Sequence, residues 1–191
     1  MLNKNYRRDL LKKINLIKKI TLGIMGSCII LMIIGVCILF YYAQTMNTMN
    51  FTIYLTSFVL VLLIVAFFFT IFFFRSYDKV INEMNGADLE TLEKLSESRS
   101  WIEQYLPSFI IYSGKIIVFK FYHQPDLYFT DLTEISIRNN YFTRGKQNKM
   151  VIFKKSKGGS YFFSIDSNYL QQKHLLEKAL EYNPKIIIKN S

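Results

Sequence analysis

The 191-residue chain has only two cysteines, three prolines and eight glycines. Two cysteines cannot build a disulfide framework, and they stand in no zinc-ligand spacing. So little proline and glycine excludes collagen-like and Pro/Gly-rich disordered classes. Acid is scarce as well, with 14 Asp+Glu against 24 Lys+Arg and a formal charge of +10. Residues 20–43 and 51–74 contain no charge at all. A mean hydropathy of +0.17 in so basic a chain means that apolar and basic residues occupy separate regions.

The two uncharged stretches read ITLGIMGSCIILMIIGVCILFYYA and FTIYLTSFVLVLLIVAFFFTIFFF. A hydrocarbon core of ~30 Å needs about 20 helical apolar residues, so each run is long enough to span it. Inside hydrocarbon the backbone must satisfy itself, which selects helix. A secretory signal has an apolar region of about 7–15 residues, and the first run exceeds that. Tyr41, Tyr42 and Tyr54 sit near the run ends, where amphipathic rings favour headgroup level.

Charge sets the expected orientation. Lys4, Arg7, Arg8, Lys12, Lys13, Lys18 and Lys19 precede the first run, opposed only by Asp9. The connector 44–50 is uncharged, and Arg75 and Lys79 follow the second run. Basic flanks stay cytoplasmic. The expectation is a multi-pass protein of the cell membrane: a hairpin of transmembrane helices at 20–43 and 51–74, an external turn at 44–50, and both termini inside. Leu10, Leu11, Ile14, Leu16 and Ile17, interleaved with lysines, would also suit an interfacial helix on anionic lipid.

Neither run carries an ionisable side chain, so the marks of a proton relay or ion pathway are missing. Cys28 and Cys37 lie on nearly opposite faces of one helix and behave as apolar thiols. Gly23 and Ser27 form a small-xxx-small pair suited to close packing with the second run or with a second copy. A homo-oligomer therefore remains open.

Residues 75–104 form a charge-rich helical linker, interrupted at Asn85-Gly86 by a helix stop and restart. Leu89, Leu92, Leu95 and Trp101 recur at helical spacing beyond the break, and Glu90–Lys94 is an i,i+4 pair. From Pro107 onward the pattern turns strand-like, with β-branched and aromatic runs at 108–112, 115–122, 127–130, 134–142, 150–154 and 160–165. Ser113-Gly114 and Gly158-Gly159 supply turn residues between strands. A helix over 168–182 follows, capped by Asp166 or Ser167 and ended near Pro184. The reading is six antiparallel strands closed by one helix.

Short strands followed by one long helix resemble a pleckstrin-homology-like (PH-like) domain. The resemblance rests on YFTDLTEISI at 128–137, on KMVIFKKSKGGSYFFSI at 149–165, and on Asn183-Pro184. It implies a group of small bacterial proteins with two membrane spans and a cytoplasmic PH-like module at 105–191. That fold is an α+β, mostly-β, antiparallel, partly open barrel capped by its C-terminal helix. It has seven strands, where six are read here.

Chemistry is sparse. There is no HExxH, GxSxG, GxxxxGK[ST] or GxGxxG. His123 and His174 fall in different elements, Glu90, Glu93 and Glu97 read as a solvated stripe, and Asp126 and Asp131 are isolated. No catalytic residue, cofactor site or metal site is expected. One stretch stands out: Arg138, Arg144, Lys146, Lys149, Lys154, Lys155 and Lys157, with Tyr141 and Phe142 interleaved and no acid from 138 to 157. Such a surface suits anionic lipid headgroups or an acidic protein partner. It also serves as a charged edge against strand association. No nucleic-acid reading motif accompanies it.

The expected function is that of a membrane-anchored, non-enzymatic binding or regulatory protein. Its partners are the bilayer and either lipid headgroups or a protein. The alternative from another class is a small membrane protein conferring immunity against a membrane-active peptide.

Overall fold

A computed structural model describes residues 2–43, 50–97, 99, 101–120, 125–139, 149–165 and 168–190. Its contacts divide the chain into two compact units. One is Asp9–Lys79; the other joins Met1–Arg8 to Val80–Ser191.

The first unit is a helical pair. Helix α1 runs Leu2–Ala43 and α2 runs Asn50–Glu83, 42 and 34 residues long. At 1.5 Å per residue they measure about 63 and 51 Å, well beyond a hydrocarbon core. Both are long and apolar enough to cross a membrane. The basic N-terminal segment is thus continuous with the first apolar run, not a separate interfacial helix. Leu10 and Ile14, expected on lipid, are buried in the protein.

The helices pair antiparallel. The buried Thr70 donates to its own Ala66 carbonyl at 2.9 Å, and its hydroxyl lies 3.5 Å from the Met25 sulfur. One end is fixed by Lys18 Nζ, 3.6 Å from Asp78 Oδ2. This register sets Ile20 level with the end of the second apolar run, so the two runs lie side by side at the same height. Outside the pair's seam the surface is apolar: among the described residues, all but six of the large exposed hydrophobic side chains lie between Leu16 and Phe72. A Cβ added at Gly23, Gly26 or Gly35 would meet nothing within 4 Å. These glycines therefore do not mediate the contact with α2, contrary to one reading of the small-residue pattern. Cys28 and Cys37 are free and exposed.

The second unit starts with short helices. Asn85 caps α3 (Gly86–Ser96), its Oδ1 accepting from Asp88 N at 2.7 Å. The expected stop-and-restart is therefore real, with Asn85 working for the restart. The Arg7 guanidinium donates to the Met84 carbonyl, where α2 has just ended; cations favour that end of a helix. Leu89 and Leu92 of α3 are buried. A five-residue helix, α4 (Trp101–Tyr105), follows; the Trp101 side chain lies outside the described residues.

Two open sheets make up the rest. β1 (Phe109–Tyr112), β2 (Lys115–Val118) and β3 (Asp126–Tyr128) form an antiparallel three-stranded sheet. The Ser113-Gly114 turn joining β1 and β2 has positive φ at both residues, +49° and +74°. Gly114 also fits closely: a Cβ there would sit 3.2 Å from the Tyr182 ring. A 3-10 turn at Phe129–Asp131, expected as strand, redirects the chain into β4 (Leu132–Asn139). Then come β5 (Lys149–Lys155), β6 (Ser160–Ile165), α5 (Tyr169–Tyr182) and β7 (Ile187–Asn190), with sheet order β6-β5-β4-β7. Asn168 caps α5, accepting from Leu170 N at 2.9 Å. The expected caps, Asp166 and Ser167, lie outside the described residues.

β7 overturns the reading of six antiparallel strands closed by a final helix. A seventh strand exists, but it follows α5 and pairs parallel with β4, Ile135 opposite Ile188. Asn183 makes the reversal: Nδ2 donates to the carbonyls of Phe129 (3.0 Å) and Leu132 (2.8 Å), while Oδ1 accepts from Lys185 N. The core between the sheets and α5 contains Ile116, Phe129, Ile135, Phe153, Leu175 and Ala179, all fully buried. Burial of such side chains contributes roughly 1.5–3 kcal/mol each before entropy is counted.

Candidate functional site

The basic stretch that stands out in the sequence is spread along the β4–β5–β6 meander. Arg138 and Lys149 are at one end, where Arg138 is opposite Met150 and Lys149 opposite Asn139. Lys154 and Lys155 are at the other end of β5, and Lys157 is in the Lys155–Gly159 turn closed by Lys155 N to Gly159 O at 3.1 Å. Seven residues of strand separate the ends by roughly 20 Å. Arg144 and Lys146, with Tyr141 and Phe142, lie outside the described residues. The described cations therefore form two groups, not one surface.

Lys154 stays exposed but is paired with an acid that the linear reading did not place beside it. Glu134 of β4 is its cross-strand partner. Lys154 Nζ lies 3.1 Å from Glu134 Oε1, and Lys189 Nζ of β7 lies 3.0 Å from Oε2. Hydrogen bonds from Lys189, then Lys154, hold the Glu134 carboxyl below the ordinary range. One acid thus links three strands and partly neutralises two cations that stay exposed. Arg138 turns back on its own strand, Nε 3.3 Å from Ser136 Oγ. Lys155 and Lys157 remain exposed at the hairpin tip.

Beside this tip is a small recess of about 50 Å³, lined by Asp126, Leu127, Tyr128, Asp131, Leu132 and Lys155. Asp126 is drawn off by Lys115 Nζ at 3.3 Å. Lys115 itself sits over the Tyr112 ring, 4.7 Å from its centroid. Its pKa is raised, chiefly by the Tyr112 hydroxyl. Tyr112 in turn donates to Glu83 Oε2 at 2.8 Å. Burial pushes the Tyr112 hydroxyl up.

A second cluster lies where α3, β1 and α5 meet. His174 lines a narrow cleft with Asp88, Leu92, Arg99, Phe109 and Ile110. With a volume of about 10 Å³, it admits no organic substrate. Burial, reinforced by Lys178 and Arg99, pulls His174 down to about 4. Burial raises Asp88, against a hydrogen bond from the Ser113 backbone N–H. Among the described residues no three His, Cys, Asp or Glu side chains gather as a metal site. The geometry is that of a packed joint: His174 sits among Lys178, Arg99 and the acids Asp88, Glu177 and Glu181, and the cleft has no substrate-sized opening.

No family model, no curated protein and no solved structure matches this chain.

Proposed function

We propose that this is a multi-pass protein of the cell membrane, with both termini cytoplasmic, whose sheet-bearing unit is a PH-like, non-enzymatic binding module. One observation carries the membrane assignment: two apolar helices in antiparallel register expose, on one slab, nearly all of the large solvent-facing hydrophobics among the described residues. A soluble protein rarely leaves so large an apolar surface open. Arg and Lys flank both runs at the same end, and the connector has none, which supports cytoplasmic termini. The PH-like reading is supported by a strand-rich core with α5 packed on it. The parallel β7 after that helix is a departure from the pattern.

The binding module presents its free cations at the β5–β6 tip, Lys155 and Lys157. Their chemistry fits an acidic segment of a protein partner held near the membrane. The test places a photo-crosslinking amino acid at Ser156 in the full-length protein in cells. The expected result is a discrete crosslinked partner that disappears when Lys155→Glu and Lys157→Glu are combined. Crosslinks unchanged by that reversal of charge would overturn the binding assignment of the tip.

A further inference from the structure

The helical pair places cations at the edge of its apolar slab in a defined arrangement. Lys19 precedes the first uncharged run directly, and Arg75 follows the second directly. The antiparallel register brings both to one level. The Lys18–Asp78 contact at 3.6 Å identifies the side of the pair on which these cations open. Lys19 is about 100° around α1 from Lys18, and Arg75 is one turn before Asp78 on α2. Both are therefore on the side where Lys18 and Asp78 meet, and both are exposed. Asp78, the acid one turn from Arg75 on α2, faces Lys18 through Oδ2. Neither Lys19 nor Arg75 has an acidic partner among the described residues.

We infer that Lys19 and Arg75 form a two-point site for the phosphate-bearing headgroup of an anionic phospholipid. The inference rests on the membrane reading above. An anionic headgroup at this depth meets a lysine point charge from one helix and a planar guanidinium from the other. The guanidinium can hold two phosphate oxygens at once. The acyl chains then lie along the apolar residues that continue the same helix faces, Ile30 below Lys19 on α1 and Phe68 below Arg75 on α2, both exposed. A free phosphate has no such second contact, so the site selects the lipid. Lys12 and Lys13, farther along α1, are exposed but lie beyond the apolar edge and add only diffuse attraction.

The experiment reconstitutes the full chain into phosphatidylcholine vesicles, alone or with a minority of phosphatidylglycerol. Association of spin-labelled phosphatidylglycerol and phosphatidylcholine is then read by electron paramagnetic resonance. The wild type is expected to hold the anionic probe roughly tenfold more tightly. The double variant Lys19→Gln/Arg75→Gln should lose most of that preference, while Lys12→Gln/Lys13→Gln keeps it. Added inorganic phosphate should not displace the probe. A chain that floats with the vesicles yet shows no preference overturns the headgroup site alone. Equal loss in both double variants also overturns it, reducing the effect to net charge. A chain that floats with neither vesicle overturns the membrane reading and the site with it.

Discussion

At position 174 one titration is built into the packing. The imidazole is half-buried between α3, β1 and α5, with Lys178 and Arg99 near it and Glu177 and Glu181 on its own helix. Its folded pKa, about 4, lies below the ordinary value of 6.5. A depressed histidine contributes stability that is complete above the unfolded pKa and is lost as pH falls through the folded one. Unfolding midpoints of the full chain in detergent should therefore drop between about pH 6.5 and pH 4, and His174→Gln should flatten that slope. An unchanged slope in the variant would assign the acid sensitivity elsewhere. The sequence shows the histidine but not its environment. Arg99 and His174 are 75 positions apart, and no spacing rule brings them together. The same is true of Glu134. Read along the chain, the stretch 138–157 has no acid, yet cross-strand register puts Glu134 beside Lys154, and β7 adds Lys189. Register is set by a turn and a hydrophobic face, so the pairing was hidden from linear charge counting.

Among the elements, those whose length carries the signal were legible. Two runs of 24 uncharged residues can hardly be anything but helix. All six expected strands overlap observed ones, and those at 108–112, 150–154 and 160–165 agree to within a residue at each end, because β-branched alternation bounded by Gly turns is local information. β7 was not legible. The run Ile186, Ile187, Ile188 follows Pro184, is too short for periodicity to speak, and pairs with a strand some 50 residues earlier. Its energetic role can be tested. Truncation after Lys185 removes Ile186 from the core, strips Lys189 from Glu134 and opens the β4 edge. Loss of a buried isoleucine costs about 2–5 kcal/mol, and a bare edge invites association. The truncated full-length chain should unfold at lower temperature and aggregate in detergent. Reduced hydrogen-exchange protection should concentrate at β4. A truncated chain with wild-type midpoint and β4 protection would show that β7 is a passive tail.

For the whole molecule, the membrane proposal turns on which side of a bilayer the second unit would face. On that proposal the cations of the first unit should set the orientation through number and place. Lys12, Lys13, Lys18, Lys19, Arg75 and Lys79 all sit beyond the same end of the apolar slab, and none sits in residues 44–50. Moving a cation across a membrane against both potential and desolvation costs several kcal/mol per charge, so six of them should enforce one orientation. With Cys28 and Cys37 replaced by serine, Asn47→Cys should react with an impermeant maleimide in intact cells. Ser156→Cys should react only after permeabilisation. The distinguishing control reverses the bias: Lys12, Lys13, Lys18 and Lys19 become Gln, and two lysines are placed within 44–50. Basic flanks are retained inside, so this chain should expose Ser156→Cys to the outside, or give a mixed population. If labelling does not respond to the reversed charge, orientation is set by folding of the sheet-bearing unit before insertion. Lys19 and Arg75 would then be free of any duty to topology, and their headgroup chemistry would stand alone.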